Sequence, residues 1–315
     1  MPLQVLLGIL ALLVTLAFLA VKFARSRRTA PLPLRGWVGL AVILVAEVLL
    51  FLRAPWLTIY FTPIVWTGFL LLADGLVGSL EGRSRMASDL GGFLALGFWS
   101  VPLWLLFEAY NLRLANWTYV GLPESALLRG LGYVWSFATI WPGIFLTADL
   151  LRALGLFGGR VRQPLVSTRR ARLTMMLAGL LMVTVPVLVP VAVGQHLFGA
   201  VWLGFIFLLD PLNYEWGGRS LLGDLERADT SRLASFLAAG LICGLLWEFW
   251  NYWAAAKWLY IFPIFQDWKI FEMPLLGYLG FPPFALECFV MYEFLRTLKT
   301  RLRVRERSAG REAAA

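Results

Sequence analysis

The sequence predicts an all-α fold. It should be a polytopic helical membrane bundle of about nine transmembrane helices, built as two tandem four-helix repeats of the same orientation behind an N-terminal helix. Three observations carry this. The chain is 60% hydrophobic and only 15% charged, with a mean hydropathy of +0.74. Apolar stretches of about 20 residues recur along it, the length a helix needs to cross a hydrocarbon slab of roughly 30 Å. Such runs are too long and too evenly apolar for barrel strands, so helices must satisfy the backbone in lipid. Finally, the chain repeats itself at a spacing of about 136 residues, from Trp66 to Trp202.

The spans follow in order. The first, 3–22, has no charged side chain ahead of it and Arg25, Arg27 and Arg28 behind it, the charge order of an uncleaved anchor whose N-terminus is outside. Residues 1–35 thus form an N-terminal helix and basic loop. Spans 36–53, 58–77, 90–110 and 131–152 make the first repeat, 36–157. A basic linker at 158–172, with Gly158-Gly159 and Pro164, separates it from the second repeat, 173–298, whose spans are 173–193, 198–214, 233–253 and 275–297. A basic tail, 299–315, closes the chain. Prolines at 102, 142, 186, 190, 211, 282 and 283 are expected to kink their helices.

The echo is residue by residue. Trp66-Thr67-Gly68-Phe69, Asp74-Gly75-Leu76 and Gly82-Arg83-Ser84 return as Trp202-Leu203-Gly204-Phe205, Asp210-Pro211-Leu212 and Gly218-Arg219-Ser220. Glu108 with Asn111 returns as Glu248 with Asn251, Trp117 and Tyr119 as Trp258 and Tyr260, and Gly132-Tyr133 as Gly277-Tyr278. An even number of spans per copy gives both copies one orientation, related by a pseudo-two-fold axis along the membrane normal.

Charge sets the expected topology. Of the 28 Lys and Arg residues, 23 fall on one side of the bundle and five (Arg53, Arg113, Arg129, Lys257 and Lys269) on the other. The crowded side should be cytoplasmic in a bacterial-type inner or plasma membrane, with the N-terminus outside and the C-terminus inside. The net charge of +9 is then a positive-inside bias with some attraction to anionic lipid. It implies no nucleic acid partner. The partners expected are membrane lipids. One histidine and two unpaired cysteines, Cys243 and Cys288, argue against metal or redox chemistry, and no phosphate-binding glycine loop is present. No metal and no cofactor is expected.

The candidate chemistry lies in the repeated polar residues. Glu108 and Glu248 each sit about one turn inside the outer end of a helix, with Asn111 and Asn251 three residues on and so on the same face. An intramembrane acid is a functional candidate by default. Glu287, unrepeated in the ninth span, is the third candidate catalytic acid; Glu47 and His196 are further unrepeated polar residues. The competing reading is a latch, in which Glu and Asn hold the backbone of the outer loops that carry Trp117, Tyr119, Trp258 and Tyr260. In the catalytic reading those four residues, with the two Asn, contact substrate. Asp74 with Arg83, and Asp210 with Arg219, are candidate headgroup clamps or, alternatively, ion pairs that cap the next helix.

The second copy carries a resemblance. Leu245-Leu246-Trp247-Glu248, then Lys257-Trp258 with Tyr260, Phe271-Glu272-Met273-Pro274-Leu275 and Tyr292-Glu293 resemble the lycopene cyclase domain of heterodimeric and fused carotenoid cyclases, which also carries tandem helical units. The paired acids which follow Pro in that family fall here on Leu275 and Leu276-Gly277. The resemblance therefore implies a shared fold and affinity for a long isoprenoid, while the missing acids argue against the family's own reaction. The expectation is a membrane protein that binds or modifies a long apolar lipid through intramembrane carboxyls. A non-catalytic subunit and a proton-coupled carrier are the alternatives.

Overall fold

The computed structural model describes residues 2–158 and 164–312. Gly159, Arg160 and Arg162 of the expected linker, and 313–315 of the tail, lie outside the described residues. The chain runs α1 (Leu3–Arg25), α2 (Leu34–Phe51), α3 (Pro55–Glu81), the short α4 (Arg85–Ser88), α5 (Leu90–Leu114), β1 (Trp117–Val120), α6 (Ala126–Ala138) and α7 (Ile140–Ala153). It then runs α8 (Arg169–Leu188), the short α9 (Val191–Gly194), α10 (Phe198–Glu215), α11 (Leu221–Glu226), α12 (Ser231–Trp253), β2 (Lys257–Tyr260), β3 (Lys269–Ile270), β4 (Met273–Pro274), a 3-10 turn (Leu275–Gly280) and α13 (Phe281–Glu312). The fold is an all-α helical bundle.

Eight helical segments among the described residues are long and apolar enough to cross a membrane, so the chain is a multi-pass membrane protein. The sequence predicts nine. The difference is α10, whose last turns carry Asp210, Asn213 and Glu215 and whose inner face packs on α8 and α13. It is built to be covered by protein as much as by lipid.

Burial sorts the helices. α1, α2, α5 and α8 show apolar side chains outward, such as Leu13, Val45, Phe98 and Leu181, as lipid contact allows. α7 is buried along nearly its whole length and packs on α12, which in turn packs on α13. Within each half the first two long helices are tightly paired, α2 on α3 and α8 on α10. Glycines permit the approach. A Cβ at Gly39 would stand 2.5 Å from the Gly68 carbonyl, and one at Gly179 would stand 2.7 Å from that of Gly204. Both pairs occupy the same place in the two copies.

The prolines behave less uniformly than expected. α3 is kinked at Tyr60 (φ −104°, ψ 16°), three residues before Pro63. Pro142 and Pro283 do not bend a continuous span. They lie in the first turns of α7 and α13, where a missing N–H is tolerated, after the breaks that end α6 and the 3-10 turn. The fifth and ninth spans are thus each two stacked segments.

Candidate functional site

The loops that follow α5 and α12 meet. β1 and β2 form an antiparallel ladder pairing Trp117 with Tyr260, Thr118 with Leu259, Tyr119 with Trp258 and Val120 with Lys257. Exchanging equivalent residues turns the first pair into the third and leaves the second unchanged. The pseudo-two-fold axis therefore passes through the Thr118–Leu259 pair.

Each strand is held by its own asparagine. The Asn111 side chain donates to the Trp117 carbonyl (2.9 Å) and accepts from the Asn116 and Trp117 amides (2.8 and 3.0 Å). Fully buried Asn251 donates to the Trp258 carbonyl and accepts from its amide, both at 2.9 Å. Both asparagines therefore hold backbone, as the latch reading expects. Glu108 Oε1 accepts from Trp104 Nε1 (2.9 Å), Trp117 Nε1 (3.2 Å) and the Tyr119 hydroxyl (2.5 Å). Glu248 Oε1 accepts from the Tyr260 hydroxyl (2.9 Å), which itself accepts from Trp258 Nε1 (2.9 Å). Burial first, then the neighbouring Glu, raises both phenols well above their ordinary range. They remain protonated and donate to the carboxyls.

Beneath the ladder lies a partly open cavity of about 130 Å³, narrower than the roughly 300–1,000 Å³ of most small-molecule sites. Of the 25 residues that wall it, 13 are aromatic, which makes the surface flat and largely apolar, with slightly negative ring faces and slightly positive ring edges. Both repeats contribute: Trp66, Trp104, Trp117, Tyr119 and Tyr133 from the first, Trp202, Trp247, Trp258, Tyr260 and Phe284 from the second. Half-exposed Arg129 and Lys257 stand among the wall residues. Lys257 pairs with Glu272 at 2.5 Å, and Arg129 donates to the Pro123 and Glu124 carbonyls at 3.1 and 3.2 Å.

The three candidate acids do not line this cavity. Glu108 is linked to the space through the wall residues Tyr119, Trp104 and Trp117, and Glu248 through Tyr260. Glu287 is wholly buried on α13, one turn past the wall residue Phe284, and neither carboxyl oxygen has a hydrogen-bond partner among the described residues. Of the candidate substrate contacts, Trp117, Tyr119, Trp258 and Tyr260 do line it, whereas Asn111 and Asn251 do not.

The candidate headgroup clamps resolve differently. Asp74 pairs with Arg35 of α2 (2.6 Å), not with Arg83, which is exposed. It also accepts from Ser84 Oγ (2.7 Å) and the Met86 amide (2.9 Å). Among the described residues no arginine forms an ion pair with Asp210. It accepts from the Leu221 and Leu222 amides at 2.7 and 2.9 Å, and Arg219 instead approaches Glu293 at 3.8 Å. Ser84 and Ser220 cap α4 and α11 through the Ala87 and Gly223 amides. The repeated Asp and Gly-Arg-Ser therefore build the entry of a short helix: a carboxylate collects amides that the helix start leaves free.

Sequence reasoning missed Trp66 and Trp202 as wall residues, although they open the repeated motif, because an aromatic in an apolar run reads as core. It also missed Arg35, which has no counterpart at the matching place in α8. Unrepeated Glu47 accepts from Trp250 Nε1 at 2.9 Å and so ties α2 to α12.

Bundle and cavity together define a multi-pass helical membrane protein with a two-fold-related aromatic chamber. No family model, curated protein or solved structure matches the chain.

Proposed function

We propose that this protein binds a long apolar lipid, of isoprenoid type, in the aromatic chamber under the outer ladder. The observation that carries the reading is the chamber itself: a space inside a membrane bundle, walled mainly by rings, to which both repeats contribute. Ring faces pack against methyl-branched or conjugated chains without requiring a polar partner. The resemblance of the second copy to the lycopene cyclase domain agrees with a ligand of this class. Glu108 and Glu248 serve the site by fixing Tyr119 and Tyr260. Proton transfer by these acids to a carbon chain would need them at the chamber surface, and their absence from its wall favours binding over acid catalysis. The charge distribution supports a topology with the ladder outside and the basic tail in the cytoplasm.

Gentle purification followed by mass spectrometry of retained lipids tests this. A polyprenoid retained in stoichiometric amount, and lost when Trp247 and Phe284 are replaced by alanine, supports the reading. Bulk phospholipid alone would remove it. A purely structural subunit is the second reading, favoured by the Asn latches; it expects an intact fold and no retained ligand.

A further inference from the structure

Buried hydroxyls and indoles in a folded protein almost always find a hydrogen-bond partner. Among the described residues, the neutral side-chain donors that are buried without one are Thr62 Oγ1, Trp66 Nε1 and Trp202 Nε1. All three belong to residues that wall the aromatic chamber. Thr62 and Trp66 lie one turn apart on the same face of α3. Trp202 is the repeat counterpart of Trp66 and approaches from α10, so the donors stand on both sides of the pseudo-axis. Trp66 itself is only 1% exposed.

The indoles are similarly seated. A Cβ built on Gly143 would stand 2.9 Å from Cζ3 of Trp66, and one on Gly280 would stand 2.5 Å from Cζ3 of Trp202. In each ring the six-membered edge is pressed against glycine backbone, and the N–H edge faces away from it. Their ring neighbours are edge-on or tilted: Trp250, Phe69 and Trp247 around Trp66, at 86°, 75° and 38°, and Phe198 and Phe284 beside Trp202, at 84° and 44°. An N–H over a ring is a weak contact and leaves a buried donor largely unsatisfied. A pure hydrocarbon would leave all three donors unmatched, at a cost for each.

We infer that the chamber selects an oxygen-bearing lipid, one whose apolar chain carries a carbonyl, ester or ether oxygen at the depth of Thr62, Trp66 and Trp202. This rests on the lipid-binding reading and narrows it to a chemical class. Tyr119 and Tyr260 leave the donor role to these three groups. Each commits its proton to a glutamate, so neither phenol competes with the indoles and Thr62 as a donor.

The test is titration calorimetry of the purified full chain in detergent, using a polyprenyl ketone and the polyprenyl hydrocarbon of equal chain length. The readout is the ratio of the two affinities. The wild type is expected to prefer the ketone by at least about fivefold, the value of one net hydrogen bond. Trp66→Phe with Trp202→Phe should bring the ratio to about one. Thr62→Val, which is close to isosteric, should lower it alone and serves if the double variant does not fold. Equal affinities in the wild type, or a preference that survives the substitutions in folded protein, would overturn the inference while leaving lipid binding standing. Failure of both probes to bind would overturn the lipid-binding reading as well.

Discussion

Three donors converge on one oxygen of Glu108, and their geometry sets what substitution there should do. Glu108→Gln keeps an acceptor at Oε1, so the fold should survive with a loss of about 1 kcal/mol. Glu108→Ala strands two indoles and a phenol and should cost about 3 kcal/mol or more, since each buried group left unpaired costs about 1–3. Unfolding in mixed micelles measures both. Retained lipid that survives the Gln change but not the Ala change marks an acceptor; loss in both, with the fold intact, would restore an acid role. Asn111→Ala and Asn251→Ala should each cost about 1–3 kcal/mol by the same measurement, because the Asn116, Trp117 and Trp258 amides lose their acceptors. These residues were legible in the sequence because duplication singled out polar groups in apolar helices. Arg35 was not, because its partner Asp74 lies 39 residues away and nothing repeats to connect the two.

Helices carry the next set of consequences. The spans could be read from hydropathy because lipid leaves no alternative to an apolar helix. The ladder could not, since a pair of four-residue strands joined across more than a hundred residues has no local signature. Nor could the splits at Thr139 and Phe281, where proline starts a segment rather than bending one. The α2–α3 and α8–α10 crossings predict a matched effect. Gly39→Ala drives a methyl into the Leu72 amide, and Gly179→Ala drives one into that of Leu208. Backbone cannot yield as a side-chain tip does, so each should destabilise by about 1–3 kcal/mol, while alanine at open Gly199 should be close to neutral. At the end of the bundle opposite the ladder, Glu226 accepts from Tyr214 (2.7 Å) and from Ser167 Oγ and amide (2.7 and 3.1 Å). These bonds, the Tyr214 one foremost, hold its carboxyl below the usual range. A depressed carboxyl stabilises the folded form above its unfolded pKa and loses that contribution as pH falls through the lower, folded one. Exchange at the Ser167 amide, corrected for its intrinsic rate, should therefore rise as the pH drops below the ordinary glutamate range. Glu226→Gln should flatten that dependence; an unchanged slope would detach the segment's order from Glu226.

At the scale of the whole molecule the two halves are alike in element order but not interchangeable. α1 is added to one side and packs on α12. Trp250 bonds to Glu47, while its counterpart Tyr110 donates instead to the Val183 carbonyl at 2.8 Å. Both contacts cross between repeats, so each half is tied to the other's first helix by a different chemistry at an equivalent place. What stays symmetric is the ladder, and it makes the relation between the halves testable. Thr118 and Leu259 face each other on the axis, and ladder partners have Cα atoms about 4.5–5.5 Å apart, within the roughly 4.4–6.8 Å that a disulfide spans. The pair Thr118→Cys with Leu259→Cys should therefore cross-link under mild oxidation. The native Cys243 and Cys288 are buried and should not compete. With a protease site inserted at 159–163, the two cleaved halves should stay joined on a non-reducing gel and separate on reduction. A register shifted by one residue would turn the two cysteines to opposite faces of the ladder. Repeats of opposite orientation would hold them a bilayer apart, about 30 Å. A folded double variant that fails to cross-link would therefore remove the same-sense pairing of the repeats, and the roof of the chamber with it.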